Sequence, residues 1–215
     1  MNGDIILQTE TFVRKVLGDD STGHDWYHIE RVRKNALYIC EKENKGDRFV
    51  VEMAALLHDI PDEKLNSSKE AGERKLAEFL ETLALEHTVQ DKIIEIIGSI
   101  SFKGGKKTEL LSIEAEIVQD ADRIDALGAI GIARTFAYGG KKGQALYDPE
   151  IKVRDVMTEE EYRNGKSSSV HHFDEKLLKL KDRMNTETAK KLAEKRHQFM
   201  EQFLEEFYNE WNGQA

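Results

Sequence analysis

The stretch from Met53 to Lys64 reads MAALLHDIPDEK, and it sets a histidine beside an aspartate at the end of an apolar run. Five consecutive apolar residues open the stretch, which predicts a helix that is buried on all sides. Pro61 disfavours helical geometry at Ile60, so we expect the helix to end near His58 and Asp59. Both of these side chains are costly to bury unless they are paired or bind a cation.

This stretch alone allows two interpretations of the His58–Asp59 pair. Imidazole suits transition metals and carboxylate suits hard cations, so together they predict a mixed nitrogen and oxygen site for a catalytic divalent ion. A buried His–Asp hydrogen bond at a helix end is the alternative. The rest of the chain has to decide between the two.

The composition of the 215-residue chain predicts one globular domain. The net charge of -9 disfavours binding to nucleic-acid polymers and to anionic membranes, although a local pocket or a metal could still hold a small phosphorylated substrate. The chain shows no signal-peptide pattern and no apolar run of membrane-spanning length. Cys40 is the single cysteine, so we expect a cytoplasmic protein without an intrachain disulfide.

Helical periodicity recurs along most of the chain and no strand pattern stands out, so the predicted fold is all-α. A basic glycine loop at 102–107 is interpreted as a solvated turn, with a place at a substrate entrance as the alternative. Residues 139–171 lose the periodicity and predict a long lid-like segment. The stretch 24–32 is predicted to enter a helix that ends near residue 44. The other predicted helices cover about 4–17, 47–59, 69–83, 88–97, 112–138 and 186–211.

Two further helices carry polar residues in apolar surroundings. His28 lies at the edge of the buried stripe of the second helix and shares a face with Arg31. Asp122 and Asp125 interrupt another apolar stripe, with Arg123 between them. Asp122 is predicted to be the last ligand of a metal site, and an Asp–Arg network that joins two helices is the alternative.

His28, the His58–Asp59 pair and Asp122 form an ordered set of H, HD and D that resembles the HD-domain superfamily of metal-dependent phosphohydrolases. The stretches GHDWYHIERV, LLHDIPDEK and QDADRIDALGAIGIAR further resemble its bacterial YpgQ/YedJ-type subgroup. The resemblance implies an HD-domain helical bundle with an additional C-terminal helical portion. Within a single domain over 1–215, we expect the HD core at about 24–138, the lid-like segment at 139–171 and the C-terminal helices at 172–211.

The subgroup resemblance implies a nucleotide pyrophosphohydrolase, which cuts nucleoside or deoxynucleoside triphosphates to monophosphate and pyrophosphate. It also implies one divalent metal ion, with Mn²⁺ preferred and Mg²⁺, Co²⁺, Ni²⁺ or Fe²⁺ as alternatives. The implied ligands are His28, His58, Asp59 and Asp122. Two-metal members insert extra histidines after the HD pair, whereas His87 is the only histidine between Asp59 and Asp122. The site is therefore expected to be mononuclear.

Asp62 is the predicted base for the attacking water, because catalytic relatives often carry an acidic residue four positions after the histidine. Many relatives have glutamate there and aspartate next. This chain has the reverse order, which leaves Glu63 as the alternative. The predicted substrate contacts are His24, Arg31, Lys64, Arg123, Lys166 and His171.

Three functions stay open from the sequence. The first is hydrolysis of a nucleoside triphosphate. The second keeps the same site but acts on nucleoside 5'-monophosphates or on guanosine polyphosphate alarmones. The third is a regulatory module that binds a nucleotide without turnover. The aromatic stripe of the last helix would serve a homodimer or, equally well, the core of a monomer.

Overall fold

A computed structural model of the chain describes residues 2–18, 25–63, 65–100, 110–154, 165 and 167–214. The described residues form nine α-helices, one 3-10 helix and no β-strand, which confirms the all-α prediction. The basic glycine loop predicted at 102–107 lies outside them. Across the described ranges, no helix combines the length and the apolar character needed to span a membrane.

The chain packs as two compact units, residues 1–122 and 123–215. The division between them falls inside the predicted HD core of 24–138, and the predicted domain layout stays a prediction. The first unit contains α1 (Asn2–Leu17), α2 (Trp26–Glu43), α3 (Arg48–Leu57), α4 (Lys69–Glu81), α5 (His87–Ile100) and most of α6 (Ile113–Asp125). The start of α5 differs from expectation, because His87 is its first residue rather than a residue before it.

Helix α3 lies at the centre of the first unit, where it packs against α1, α2 and α5. Seven of its ten residues are buried, as the apolar run predicts. Asp47 caps the helix by accepting hydrogen bonds from the amides of Phe49 and Val50 at 2.8 and 3.2 Å.

A charged cluster ties α3 to the two preceding helices. Arg33 of α2 donates from Nε to Glu52 of α3 at 2.9 Å and from Nη1 to Glu10 of α1 at 2.6 Å. Since all three side chains are partly buried, these contacts hold the helices in register as well as satisfying the charges.

The second unit contains α7 (Gly128–Lys141), α8 (His171–Glu175), a 3-10 helix (Leu177–Arg183) and α9 (Glu187–Trp211). Helix α9 packs on α7 and on the 3-10 helix. Its Phe203 lies within ring-stacking distance of Phe136 and Phe173, so part of the aromatic stripe covers the core of this unit. Phe199 and Trp211 are about half exposed, and the homodimer stays a prediction.

The single helix predicted over 112–138 is wrong. Helix α6 ends at Asp125, and α7 starts at Gly128, whose φ of +72° suits a residue without a side chain. The turn is tight, because a Cβ on Gly131 would lie 2.2 Å from the carbonyl oxygen of Ala126. The periodicity of the apolar residues continues through the turn, whereas the helical conformation of the backbone is interrupted there.

The predicted lid-like segment of 139–171 overlaps with helix at both ends. Helix α7 continues to Lys141, and α8 begins at His171. The amide of Ser169 donates to the carbonyl of Ala145 at 3.0 Å, and a Cβ on Gly139 would meet Ser169 Oγ at 2.1 Å. The parts of this stretch around Ala145 and Ser169 therefore pack together at the end of α7.

We expect the substitution Gly128→Ala to destabilise the protein, because left-handed backbone geometry is unfavourable for alanine and its Cβ would lie 3.1 Å from Cγ of Arg196. The expected loss in the free energy of unfolding is about 1–2 kcal/mol. Urea denaturation followed by circular dichroism measures it. Gly140→Ala is the control in the same helix, since a Cβ there meets open space. Equal effects of the two substitutions would contradict the argument.

Candidate metal centre

The end of α3 places His58 and Asp59 at the edge of the core, as predicted. The amide of Ile60 donates to the carbonyl of Leu57 at 3.0 Å, and Pro61 has no amide hydrogen with which to continue the helix. His58 and Asp59 are only 8% and 9% exposed. Their polar atoms therefore depend on partners that the fold or a ligand provides.

The ring of His58 is oriented by the backbone of its own helix. Its Nδ1 lies 2.9 Å from the carbonyl oxygen of Ala55. A carbonyl oxygen only accepts, so Nδ1 carries the proton and the neutral ring keeps a lone pair on Nε2. Nε2 lies 3.4 Å from Oδ1 of Asp59 and 3.8 Å from Oδ1 of Asp122. This orientation is typical of a metal-ligating histidine.

His28 enters the same cluster from the first turn of α2. Asp25 caps that helix by accepting a hydrogen bond from the amide of His28 at 2.8 Å. The Nε2 atom of His28 lies 3.5 Å from Oδ2 of Asp59 and 3.5 Å from Oδ1 of Asp122. The structure thus brings together all four residues that were predicted as metal ligands.

The spacing of these atoms suits a shared cation. Ligand atoms of His28, His58 and Asp59 all lie within 4.8 Å of one another. The four His–carboxylate distances run from 3.4 to 3.8 Å, whereas direct hydrogen bonds of this kind measure about 2.7–3.2 Å. Ligands that each lie about 2.1 Å from one cation are about 3.0–3.4 Å apart, so the observed distances lie at the upper end of this range and up to about 0.4 Å above it. The donor set fits a divalent metal, and this favours the metal site over a simple buried His–Asp pair.

The cluster opens to solvent on one side. The side chains of His28, His58 and Asp59 are 1%, 5% and 12% exposed, whereas that of Asp122 is 47% exposed. Solvent therefore reaches the cluster beside Asp122, and a small molecule could approach there.

The predicted base lies on the turn that follows Asp59. The amide of Asp62 donates to the carbonyl of Asp59 at 3.0 Å, so one tight turn carries both residues. The side chain of Asp62 is half-buried and that of Glu63 is exposed, which favours Asp62 as the better-fixed carboxylate. Their catalytic roles stay predictions.

The predicted substrate contacts are spread over both units. His24, Lys64 and Lys166 lie outside the described residues. Arg31 is half-buried on α2, nearly one turn after His28. Arg123, in the second unit, donates from Nη1 to the carbonyl of Arg183. The contacts of Arg31 and Arg123 with substrate stay predictions.

Asp125 takes part in an ion pair between two helices. Its carboxylate is 1% exposed and accepts a hydrogen bond from Nη1 of Arg134 at 2.6 Å, which joins α6 to α7. The Asp–Arg alternative that the sequence left open therefore describes Asp125. Asp122, three residues earlier, belongs to the histidine cluster instead.

His171 and His172 lie at the start of α8. His171 is buried, with Nδ1 2.7 Å from Oγ of Ser168 and its ring 5.3 Å from that of Tyr147. These contacts explain its burial, and its role as a substrate contact stays a prediction. Burial and the nearby Lys176 lower the pKa of His172 to about 4, so its ring is neutral at pH 7 and offers no positive charge to a phosphate.

Asn66 makes a contact that sequence analysis missed. The helix predicted over 69–83 begins as expected, with Ser68 as its cap. The side-chain amide of Asn66, however, donates to the carbonyls of Ile60 and Asp62, each at 2.8 Å. No local signal distinguishes this asparagine from an ordinary capping residue, because the path of the turn sets its partners.

Comparison with known proteins agrees with this geometry. Residues 25–127 match the HD domain family. The chain is 45% identical to YpgQ of Bacillus subtilis (strain 168) over 195 residues, which are 90% of this chain and 87% of YpgQ. An HD-superfamily hydrolase from Bacillus thuringiensis has a crystal structure that matches with a TM-score of 0.79 and 50% identity over 99% of both chains. The chain belongs to the HD-domain superfamily.

A second solved relative in this comparison contains a nucleotide. The crystal structure of B. subtilis YpgQ in complex with ADP matches with a TM-score of 0.78 and 40% identity, and the match covers 98% of this chain and 100% of that chain. The HD-family match includes His28, His58, Asp59 and Asp122. The protein is thus an HD-superfamily hydrolase by family, with a buried cluster suited to a divalent metal.

We expect a divalent metal to raise the midpoint of thermal unfolding, because a cation that binds only the folded chain stabilises it. At 100 times the dissociation constant the gain is about 2.7 kcal/mol. Thermal unfolding with Mn²⁺ and then with chelator measures the shift. Asp122→Ala should remove most of it, whereas His87→Ala, at an exposed histidine outside the cluster, should keep it. A full shift in Asp122→Ala would contradict the assignment of Asp122.

The pKa of His172 predicts a loss of stability in acid. The unfolded chain takes up a proton at His172 below its ordinary pKa of 6.5, whereas the folded chain does so only near pH 4. Stability therefore falls as the pH falls through this window, by about 1.4 kcal/mol per pH unit for one proton. Urea denaturation at several pH values should show a shallower decline for His172→Gln. Identical slopes would show that folding does not lower the pKa of His172.

Proposed function

We propose that this protein is a metal-dependent phosphohydrolase that converts nucleoside or deoxynucleoside triphosphates to nucleoside monophosphate and pyrophosphate. The observation that carries the proposal is the buried cluster of His28, His58 and Asp59, with the more exposed Asp122 at its edge. The structure of B. subtilis YpgQ with ADP supports a nucleotide as the ligand. The cut between the α- and β-phosphates rests on the resemblance to the YpgQ/YedJ-type subgroup.

One divalent cation would be held by His28, His58, Asp59 and Asp122, with Mn²⁺ as our first choice. The bound cation would lower the pKa of water and offset negative charge on the phosphate. The hydrogen bond from His58 Nδ1 to the carbonyl of Ala55 keeps the Nε2 lone pair directed at the cluster. The exposed side of the cluster, beside Asp122, would receive the triphosphate.

Asp62 takes the proton of the attacking water in this proposal. The water oxygen forms a bond to the α-phosphorus, and the bond from that phosphorus to the bridging oxygen of the β-phosphate breaks. Pyrophosphate leaves with the bridging oxygen, and the proton passes from Asp62 to solvent. The half-buried position of Asp62 on the same turn as Asp59 supports this choice over the exposed Glu63.

Basic and histidine side chains would bind the remaining phosphate groups. Arg31 shares a helix face with His28, which supports its contact with the triphosphate. The other proposed contacts are His24, Lys64, Arg123, Lys166 and His171.

A product assay tests the function directly. The purified protein is incubated with nucleoside and deoxynucleoside triphosphates, monophosphates and guanosine polyphosphates, each with Mn²⁺ and with chelator. Equal amounts of monophosphate and pyrophosphate from a triphosphate, lost with chelator, are expected. Free phosphate from a monophosphate would instead identify a nucleotidase. Metal-dependent binding of nucleotide without any product would identify a regulatory module.

We expect Asp62→Asn to lower kcat by about 10²–10⁴-fold, the usual contribution of a general base. Its metal-dependent rise in thermal unfolding midpoint should be unchanged, because Asp62 is not a proposed ligand. Steady-state kinetics of Glu63→Gln provide the matched comparison, with a kcat close to that of the unsubstituted protein. If kcat fell in Glu63→Gln and not in Asp62→Asn, Glu63 would be the base instead of Asp62.

A further inference from the structure

We propose that Asn66 is a positioning residue for the segment from Ile60 to Asp62, which follows the ligand Asp59, and that Gly72 of α4 supplies the space in which this segment lies. The proposal rests on the proposed function, because the turn carries the candidate base. Neither residue touches the histidine cluster in this proposal. They act on the reaction through the direction in which the turn presents Asp62.

The side chain of Asn66 links two carbonyl groups of the turn by hydrogen bonds. Nδ2 donates to the carbonyl of Ile60 and to that of Asp62, both at 2.8 Å. These two carbonyls flank Pro61, so the amide joins the residue that follows the His58–Asp59 pair to the candidate base itself. A side-chain amide can satisfy two carbonyls in this way because its nitrogen carries two hydrogens, which a carboxylate lacks.

The orientation of this amide is determined by its two donors. Its Oδ1 atom is buried and, among the described residues, accepts no hydrogen bond. A flipped amide would place Oδ1 against two carbonyl oxygens, so the reversed orientation is unfavourable. A buried acceptor without a partner is destabilising, so the two donated bonds offset a cost at this position.

Gly72 restrains the same turn by lying close to Pro61 and to the side chain of Asn66. A Cβ on Gly72 would lie 2.6 Å from the carbonyl oxygen of Pro61 and 2.7 Å from its Cα. It would also lie 2.8 Å from Nδ2 of Asn66. Two of these three contacts are with backbone atoms, so a larger residue could fit only if the turn itself moved. The amide of Gly72 donates to the carbonyl of Ser68 at 3.1 Å, which fixes this close approach to the first turn of α4.

The metal ligand His58 and the candidate base Asp62 are therefore positioned by different contacts. His58 is oriented from α3, by the carbonyl of Ala55. Asp62 is held from the α4 side, by Asn66 and by the close approach of Gly72. A change at Asn66 should therefore shift Asp62 and leave the metal ligands in place, so turnover should be lost while metal binding is kept.

The test compares Asn66→Leu, which keeps the size of the side chain and removes both donors, with Gly72→Ala. Asn212→Leu is the matched control, because Nδ2 of Asn212 donates to one carbonyl, that of Tyr208, at an exposed helix end. Gly98→Ala is the second control, since a Cβ there meets open space. Circular dichroism confirms folding. Steady-state kinetics give kcat and KM, and calorimetric titration of the metal-free proteins with Mn²⁺ gives metal affinity.

We expect kcat of Asn66→Leu and of Gly72→Ala to fall on the order of 10²-fold, with KM and metal affinity within about threefold of the unsubstituted protein. Both controls should keep their kcat. An unchanged kcat in folded Asn66→Leu would overturn the proposal, as would parallel loss of kcat and metal affinity. If Asn66→Leu does not fold, the same readouts on Gly72→Ala decide.

Failure of the proposed function would be recognised separately, by the absence of any nucleotide turnover in the unsubstituted protein. Amide hydrogen exchange of residues 60–66 would then test the positioning role by itself. Faster exchange in Asn66→Leu, with Mn²⁺ affinity kept, would support the role of Asn66 in holding the turn. Unchanged exchange would overturn it.

Discussion

The buried carboxylate of Asp59, facing two imidazole rings, is the feature on which the arrangement of the first unit depends. A charged group with so little exposure is unfavourable unless opposite charge or hydrogen-bond donors compensate it. His58 does not supply such a donor to Asp59 in this orientation. Its proton is directed at the carbonyl of Ala55, so the Nε2 lone pair faces the carboxylate. A divalent cation bound between the carboxylates and this lone pair would stabilise the cluster.

The cluster forms only if α2, the end of α3 and α6 converge. Other charged contacts hold these helices together. Arg33 links α1, α2 and α3 through Glu10 and Glu52. At the other end of α3, Glu114 of α6 accepts hydrogen bonds from Lys92 of α5 at 2.7 Å and from the amide of Asp47 at 3.0 Å. Helix α6 is therefore attached to the start of α3 by its first turn, and it presents Asp122 to the cluster near its last turn.

The fold follows from the sequence wherever a local pattern determines the local structure. The continuous apolar run of α3, the proline after it and the capping serine before α4 each act within a few residues, and the observed helix bounds agree with them. The break between α6 and α7 was missed, because the apolar period runs through it unchanged. Gly128 and Gly131 are the signals there, and their importance depends on close contacts with Arg196 and Ala126 that only the folded chain displays.

The sequence by itself indicated the four candidate metal ligands, because polar residues interrupt apolar helices there and their order resembles the HD pattern. Tertiary structure decided which neighbouring carboxylate belongs to the cluster. Asp122 lies beside His28 and His58, whereas Asp125 pairs with Arg134. It also decided the hydrogen-bond partners of Asn66, whose amide donates to the carbonyls of Ile60 and Asp62 across the turn. Hydrogen-bond partners are chosen by distance in space, and neither residue type nor spacing along the chain encodes that distance.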